Sequence, residues 1–419
     1  MDKKVITANQ LYNREMPVGI DVDTIIEIVP DKLLELLADK SARFSRFEVP
    51  GGRNAWEIVS RTQRQTLVHK AVHCIKQYFF SRGLPYAHLW YLPRGVESVF
   101  CFRVDCDGFT EESSIKTLEL AHQYNITMTW YIDVGRWKKH LDFVTRLKNE
   151  GQDVQLHCYS HRQFRKKKVI LEDIRKAMAE LKKVGVHPNG YAAPFGTWSE
   201  ELSEVLEELG FSYSSEFSLA YDEYPFYPAV KKKPSKVLQI PIHPICVGIL
   251  IEAGFRPDEM SSYFLTTAQR LRLARLPIII YGHPVSRLEK YPQVLGSLLE
   301  WANSSDGIWV SSIGEFVSWW RFRAHCSVKG FVTSESMHIE TSKEDARVIV
   351  RVEDKDGNES FVDLKSGENR LRELMWQKVS NKINTQLVSS PLMSRTMLRG
   401  KAIIGKLKQR LLKCFKGEV

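Results

Sequence analysis

Two short strings in the sequence combine carboxylates and imidazoles at spacings that suit metal binding. The first is the apolar run 99–104, which leads directly into Asp105 and Asp107. The second follows another apolar run and places His157 and His161 four residues apart. Oxygen and nitrogen ligands of these types can bind one divalent metal and leave a carboxylate free. We therefore predict that the two strings build an active site.

The elements around these strings follow a repeating pattern over residues 96–325. Short apolar runs, which predict buried strands, alternate with stretches of helical periodicity. Strands that alternate with helices form parallel sheets with right-handed crossovers, and seven or eight such units close most naturally into a barrel. We therefore predict an α/β fold, an irregular (β/α)7–8 barrel.

Candidate catalytic residues recur where the predicted strands end. Asp105, Asp107, His157, Pro194 and His283 each lie at or just beyond the end of an apolar run. In parallel barrels the carboxyl ends of the strands share one face, and the chemistry takes place there. We therefore expect these residues to meet at one end of the barrel.

The region before the barrel lacks this alternation. Residues 1–95 predict an α-rich region of mixed helical and irregular structure, with helices over Asp31–Asp39 and Gln63–Phe80. Ser60 is a candidate N-cap for the second helix.

One string in this region repeats the spacing of the later aspartates. Asp21 and Asp23 stand two residues apart, but no pair of histidines follows at a comparable distance. We therefore favour a structural role for this string over a place in the active site.

The region after the barrel, residues 326–390, predicts a small unit of β-hairpin and helix. Two apolar runs flank Asp356-Gly357, a dipeptide that strongly indicates a tight hairpin turn. Residues Arg370–Asn384 then show helical periodicity.

The last segment, residues 391–419, predicts a basic amphipathic tail. Between Arg395 and Lys416 it has eight lysine or arginine residues and no acid, so it accounts for most of the formal net charge of +10. A helix with one apolar face and cations elsewhere can lie on an anionic membrane, so peripheral contact through residues 395–416 is one interpretation. The alternative is a helix that packs on its own domain with solvated lysines.

Composition argues against several classes of protein and partner. No apolar run is long enough to span a membrane, and no signal peptide follows Met1, so we expect a cytoplasmic protein, peripheral at the inner membrane face. The seven cysteines are scattered without CxxC spacing, which argues against a disulfide framework and a structural zinc cluster. Charge outside the tail is nearly balanced and no nucleic-acid-binding motif is present, so we expect no nucleic-acid partner.

Together with two later strings, these residues resemble the polysaccharide deacetylase family, the NodB-homology domain of carbohydrate esterase family 4. Members carry a paired-aspartate motif, a His-Ser/Thr-x-x-His motif, an Arg-x-x-Pro-Tyr/Phe motif and a Leu-x-x-His-Pro-like strand end. The corresponding strings have the same order and similar separations, and they are residues 104–108, 157–161, 190–196 and 279–284. The resemblance covers roughly residues 96–325.

The resemblance implies a ligand set for a divalent metal, most often Zn²⁺, with Co²⁺, Ni²⁺ or Mn²⁺ as alternatives. Asp107, His157 and His161 would hold the metal, which leaves coordination positions for water and a substrate carbonyl. Such a metal polarises an amide oxygen and lowers the pKa of bound water.

The resemblance also implies roles in proton transfer. Asp105 would act as the general base and His283 as the acid that protonates the leaving amine. The backbone N–H of Phe195, after Pro194, would complete an oxyanion site. Two alternatives stay open: Asp105 as a second metal ligand or a partner of His283, and His243 as the acid.

The sequence departs from the family pattern at three places. Cys106 separates the two aspartates, which are usually adjacent, and Cys158 replaces the usual hydroxyl residue between the histidines. Ala192 and Ala193 stand where the family often has the arginine that orients the base, so Arg103 or Arg162 would have to substitute for it.

Two groups of residues near the motifs are candidates for substrate contact. Arg162 and the basic run 165–168 follow the second histidine and would attract a phosphate, although they also fit a solvated helix entry. The aromatic group would stack on sugar rings at the barrel mouth or, alternatively, pack in the core, and it comprises Trp130, Tyr131, Trp137, Phe195 and Trp198.

The sequence therefore predicts a metal-dependent N-deacylase, a deacetylase or deformylase, that acts on an amino sugar in surface-polysaccharide or glycolipid biosynthesis. Within the family, the Arg-x-Asp-x-Asp opening is similar to enzymes that act on nucleotide- or polyprenyl-phosphate-linked amino sugars. Two alternatives remain: a metal-dependent amidase for a small non-sugar amide, and a barrel that binds a glycan or lipid carrier without turnover.

Overall fold

The computed structural model describes residues 3–48 and 53–379. The helices of this part are α1 (Lys3–Glu15), α2 (Val22–Ile28), α3 (Asp31–Leu37), α4 (Arg64–Phe80), α5 (Glu111–Gln123), α6 (Val134–Trp137), α7 (Leu141–Asn149), α8 (Lys167–Lys182), α9 (Glu200–Glu208), α10 (Val247–Glu252), α11 (Pro257–Leu273), α12 (Pro292–Ser304) and α13 (Ile313–His325). Among them, none has both the length and the apolar character needed to cross a bilayer.

The strands of the same residues form several sheets. They are β1 (Ala42–Glu48), β2 (Asn54–Ser60), β3 (Tyr86–Leu89), β4 (Ser98–Cys106), β5 (Thr129–Asp133), β6 (Asp153–Cys158), β7 (Gly190–Tyr191), β8 (Tyr213–Ser214), β9 (Ala229–Val230), β10 (Lys233–Pro234), β11 (Leu238–Gln239), β12 (Ile278–Gly282), β13 (Ile308–Val310), β14 (Val328–Val332), β15 (Ser336–Thr341), β16 (Ile349–Glu353), β17 (Asn358–Asp363), β18 (Gly367–Arg370) and β19 (Gln377–Lys378).

The central sheet is a curled, parallel half-barrel. Its strand order is β11-β8-β7-β6-β5-β4-β12, and β13 pairs with the start of β4. Every pairing within it is parallel. The segment after β11 also meets β12, because the His243 N–H donates to the Ile279 carbonyl at 2.8 Å. This architecture confirms the predicted α/β fold with an irregular barrel.

Burial on both faces explains why the barrel strands were recognisable. All nine residues of β4 are buried, so the strand is a continuous apolar run that ends in its functional residues. The surrounding helices are amphipathic: α8 buries Ile170, Ile174, Ala177 and Leu181, which share one helical face. Strand ends are thus held rigidly at one pole of the barrel, which is what a catalytic site requires.

The N-terminal helices pack around a small core of their own. Its buried residues come from α1 to α4 and β3, and they include Leu11, Ile25, Leu34, Val68 and Ile75. Asp21 is the N-cap of α2, since its carboxylate accepts from the Thr24 N–H at 2.9 Å.

The early aspartate string is therefore structural, as we favoured. The predicted N-cap for α4 is wrong, however. Ser60 ends β2, and α4 begins only after Gln63, because the hairpin pairing of β1 with β2 extends through Ser60.

The small unit after the barrel is built from strands. The predicted hairpin joins β16 to β17, with the Asp354 N–H donating to the Asn358 carbonyl at 3.0 Å. Its sheet continues into the N-terminal region, because β3 pairs antiparallel with β16.

The helix predicted over Arg370–Asn384 is wrong for residues 370–379. Strand β18 ends at Arg370, Leu371–Glu373 form one 3-10 turn, and β19 pairs with β17, so strand pairing overrides the helical periodicity. Residues 380–384 and the whole predicted tail, 391–419, lie outside the described residues.

Candidate metal centre and catalytic pocket

Three predicted ligands converge at the carboxyl ends of β4 and β6. Asp107 follows β4 directly, His157 lies in β6 and His161 lies in the loop beyond it. Their ligand atoms all lie within 4.8 Å of one another. The Nε2 atoms of both histidines lie 3.2 Å from Asp107 Oδ1. Strand ends that are distant in sequence thus place one oxygen and two nitrogens around a common point.

The orientation of His157 suits a metal ligand. Its Nδ1 lies 2.6 Å from the Ala192 carbonyl oxygen, to which it donates, so the Nε2 lone pair is directed at the site. The loop between the two histidines is held by Asp173 on α8, whose carboxylate accepts from the N–H groups of Tyr159 and Ser160 at 3.0 Å each. Both imidazoles are therefore fixed before any ligand binds.

The electrostatics of this group fit a cation. Asp107 Oδ1 is buried and accepts no hydrogen bond among the described residues, although two imidazole nitrogens lie close to it. Burial alone would raise the pKa of Asp107, but the neighbouring imidazoles of His157, His161 and His283 outweigh it and hold that pKa well below its usual range. A carboxylate oxygen with two imidazole nitrogens close to it is a donor set suited to a divalent metal.

Asp105, the predicted base, is held by Arg103. The guanidinium Nε donates to Asp105 Oδ1 at 2.6 Å and a terminal nitrogen donates to Oδ2 at 2.7 Å. The remaining terminal nitrogen donates to the Ser215 carbonyl at 2.6 Å. The rings of Tyr131 and Tyr281 lie 5.0 and 5.5 Å from the guanidinium carbon. Of the two arginines that could replace the one missing at 192–193, the structure thus places Arg103 on Asp105.

His283 completes the cluster from the end of β12. Its Nε2 lies 3.2 Å from Asp107 Oδ2. Burial alone would lower the pKa of His283, but Asp107 and Cys246 outweigh it and raise that pKa to about 9. A raised pKa favours the protonated imidazole, which is the form that a proton donor needs.

The rival acid, His243, is not part of this pocket. It is buried, and its ring nitrogens lie 2.9 Å from Asp222 Oδ1 and 2.9 Å from the Tyr263 hydroxyl. Asp222 also accepts from Arg270 at 2.7 Å. His243 therefore belongs to a buried structural network, and the alternative that it is the acid is wrong.

The turn after β7 brings Phe195 to the metal ligands. Phe195 has φ +60°, and its ring centroid lies 4.8 Å from that of His161, while 57% of the residue is exposed. The next residue must be glycine, because a Cβ on Gly196 would lie 2.3 Å from the Phe217 ring. Glu216 Oε1 accepts the Ala193 N–H at 3.0 Å and so ties the turn to the barrel.

Glu216 should make the stability of the protein depend on pH. Burial raises the pKa of Glu216 to about 7, although the Ser214 hydroxyl, the Ala193 N–H and Arg103 counteract it. A carboxyl whose pKa is higher in the folded than in the unfolded chain stabilises the fold at low pH, and this stability is lost as pH rises through about 7. We expect Glu216→Gln to remove this loss, which amounts to about 1–3 kcal/mol.

The measurement is urea unfolding of both proteins at pH 5 and pH 8. The free energy of unfolding of the wild type relative to Glu216→Gln should be lower at pH 8 than at pH 5. An equal difference at the two pH values would show that Glu216 is not protonated in the fold.

The pocket around the metal ligands has a volume of about 280 Å³. Besides the predicted residues Asp105, Asp107, His157, His161, Phe195 and His283, it is lined by residues that the motifs do not contain, among them Glu57, Phe217, Cys246, Ile249, Glu252 and Arg287. Glu57 comes from the β1–β2 hairpin of the N-terminal region, where no sequence signal marks it. Arg287 follows His283 by four residues, which is the one local hint available.

Two residues predicted to contact substrate do not line this pocket. Trp198 packs in a separate small cluster with Leu219, Ala220, Phe226 and Val230. Arg162 lines a narrow neighbouring groove of about 50 Å³ together with Pro194.

Three further aromatic candidates and one basic candidate make structural contacts. Trp130, Tyr131 and Trp137 are fully buried in the main core, so the alternative of core packing holds for them. In the basic run 165–168, Lys167 lies 3.2 Å from Glu208 on α9, as expected for a solvated helix entry. Of the aromatic candidates, only Phe195 lines the pocket.

Comparisons with known proteins agree with this reading of the motifs. Residues 105–214 match the family model described as polysaccharide deacetylase, which confirms the predicted resemblance over these residues. A comparison with curated proteins finds no match.

Three solved structures illustrate the similarity of the chain to known folds. A protein assigned as a polysaccharide deacetylase from Mycobacterium smegmatis has a TM-score of 0.49 at 15% identity, covering 56% of this chain and 94% of its own. PuuE allantoinase has a TM-score of 0.49 at 16% identity, covering 55% and 93%. Peptidoglycan deacetylase PdaC from Bacillus subtilis has a TM-score of 0.36 at 13% identity, covering 54% and 93%.

Proposed function

We propose that the protein is a metal-dependent N-deacylase that removes an acetyl or formyl group from an amino sugar. The observation that carries the proposal is the juxtaposition of two groups in one pocket. One is the cluster of Asp107, His157 and His161, and the other is Asp105, held by both oxygens on Arg103. Hydrolysis of an amide needs an electrophile for the carbonyl and a base for water, and these two groups can supply both.

Asp107, His157 and His161 would hold the metal, with Zn²⁺ the first choice and Co²⁺, Ni²⁺ or Mn²⁺ as alternatives. When bound, such a metal polarises an amide carbonyl and lowers the pKa of water. Asp105 takes the proton of the attacking water, and Arg103 keeps its carboxylate ionised and oriented.

Residues at two further strand ends would act on the leaving amine and on the oxyanion that forms from the amide carbonyl. His283, whose pKa is raised by Asp107 and Cys246, gives its proton to the departing amine. The Phe195 backbone N–H, on the turn after Pro194, stabilises the developing oxyanion. The exposed Phe195 ring beside His161 offers a face on which a sugar can stack.

The size of the pocket supports a small acylated unit as the substrate. A volume of about 280 Å³ suits one acylated monosaccharide, with the rest of a larger substrate outside the mouth. We further propose a nucleotide- or polyprenyl-phosphate-linked amino sugar of surface-polysaccharide or glycolipid biosynthesis. A cytoplasmic location with peripheral membrane contact through residues 395–416 belongs to the same proposal.

The test is hydrolysis of a panel of N-acetylated and N-formylated amino sugars, with simple amides as comparison. We expect release of acetate or formate from sugars, and Asp105→Asn should lower kcat by about 10²–10⁴-fold because the water loses its base. Bound metal should remain, since the three ligands are untouched.

Turnover of simple amides alone would favour the small-amide hydrolase instead. A wild-type rate in Asp105→Asn would show that Asp105 is not the base. The missing arginine favoured the alternative of a barrel that binds without turnover, and the hydrogen bonds of Arg103 to Asp105 support the deacylase over it.

A further inference from the structure

One arginine side chain in the pocket has no hydrogen-bond or ion-pair partner among the described residues. Among the residues that line it, Arg287 alone carries a fixed positive charge. Arg103 lies beneath Asp105, and its donors are used by Asp105 and Ser215. The guanidinium of Arg287, in contrast, makes no hydrogen bond or ion pair with any residue of the described ranges 3–48 and 53–379, and only the backbone carbonyl of Arg287 is engaged, by the Tyr291 N–H at 3.1 Å.

Arg287 is held at a defined position by a strained turn. The turn spans Pro284–Leu288 directly after His283, and its Ser286 has φ +61°. The Ser286 N–H donates to Glu289 Oε1 at 2.7 Å, and the other carboxylate oxygen of Glu289 accepts from the Ser113 hydroxyl on α5. Because both carboxylate oxygens of Glu289 accept hydrogen bonds, the backbone of the turn is fixed relative to the barrel.

The side chain of Arg287 is seated against Gly248 of α10. A Cβ on Gly248 would lie 2.5 Å from the Arg287 Nε and 2.9 Å from its Cζ. The backbone conformation at this position does not require glycine, since its φ is not positive. It therefore leaves space for the guanidinium, which brings this charge into the pocket beside the candidate metal centre.

Two glutamates also line the pocket. Glu57 comes from β2 and Glu252 from α10. Because carboxylates repel an anion, Arg287 is the fixed charge in the lining that attracts one. A half-buried guanidinium without a partner is costly, and its planar donors match the oxygens of phosphate and carboxylate.

We propose that Arg287, seated on Gly248, binds an oxyanion carried by the substrate next to the amide, a phosphate or a carboxylate. That the anion belongs to a substrate rests on the proposed function, but the anion site itself can be tested by binding alone. It makes Arg287 a specificity-determining residue, and it limits the substrates to acylated amino sugars that carry a negative charge.

The experiment compares binding and hydrolysis of three sugars: neutral N-acetylglucosamine, N-acetylglucosamine 1-phosphate and N-acetylmuramic acid. The last two distinguish phosphate from carboxylate. Loss of a charge-assisted, bidentate contact in Arg287→Ala should weaken calorimetric binding of the preferred anionic sugar by roughly 10- to 100-fold and leave the neutral sugar unchanged. Arg287→Lys should recover part of the loss.

Two further variants separate charge from structure. Gly248→Ala retains the Arg287 charge but places a methyl group where the guanidinium lies. Because alanine suits a helix better than glycine, this variant should fold, and it should show the same selective loss of binding. Arg162→Ala removes an arginine outside the pocket and should bind all three sugars like the wild type.

The outcomes are distinct. Equal binding of the anionic sugars by wild type and Arg287→Ala, or equal losses for neutral and anionic sugars, would overturn the anion site. So would a wild type that binds neither anionic sugar. Selective binding through Arg287 without release of acetate would support the anion site and contradict the deacylase proposal.

Discussion

Asp107→Ala and His157→Ala are expected to lose the metal and the hydrolytic activity together. Each removes one member of the only Asp-His-His group in the described residues whose ligand atoms lie within 4.8 Å of one another. Polarisation of the carbonyl and activation of water contribute several kcal/mol, so the rate should fall by about 10³-fold or more. The measurement is metal content of protein purified from metal-supplied medium, together with the rate of acyl release.

A matched control comes from a buried aspartate outside the pocket. Asp222→Asn disturbs the network of His243 and Arg270 and should lower stability, yet the variant should keep its metal. Treatment of the wild type with a chelator should reproduce the loss of activity, and added Zn²⁺ should restore it. A wild type that stays metal-free under these conditions would contradict both the metal centre and the proposed reaction.

Arg103→Met should cost both stability and rate. The variant leaves the Asp105 carboxylate buried without its cation, and breaking a buried ion pair from one side destabilises a protein by about 3–5 kcal/mol. A base that loses its orienting partner is also misplaced, which should lower kcat by about 10²-fold. Chemical unfolding measures the first effect and steady-state kinetics the second.

A double-mutant cycle with Asp105→Asn tests whether the two effects share a cause. In the double variant no unpaired charge is left, so it should be more stable than Arg103→Met alone. Its kcat should be no lower than that of Asp105→Asn, because Arg103 acts on the reaction through Asp105. Additive losses of stability and rate would show that Arg103 does not act through Asp105.

The sequence by itself determined the barrel and which polar residues lie at its strand ends. The strands of the barrel are buried on both faces, so each appears as an apolar run whose end marks the site, and Asp105, Asp107, His157 and His283 could be read from these ends. Even the replacement for the missing arginine had a local signal. Arg103 and Asp105 are two residues apart on one strand, so their side chains share a face.

Only the tertiary structure decided which residues surround these strand ends. Whether an aromatic or basic residue lines the pocket depends on packing between distant segments, which periodicity does not encode. Trp198 and Arg162 were predicted to contact substrate but do not line this pocket, and His243 lies in a separate buried network. The same holds for the residues that no motif contains. Glu57 arrives on a hairpin from the N-terminal region, and the place of Arg287 depends on a missing Cβ at Gly248. Local patterns specify strand ends, whereas the walls between strand ends follow from contacts across the chain.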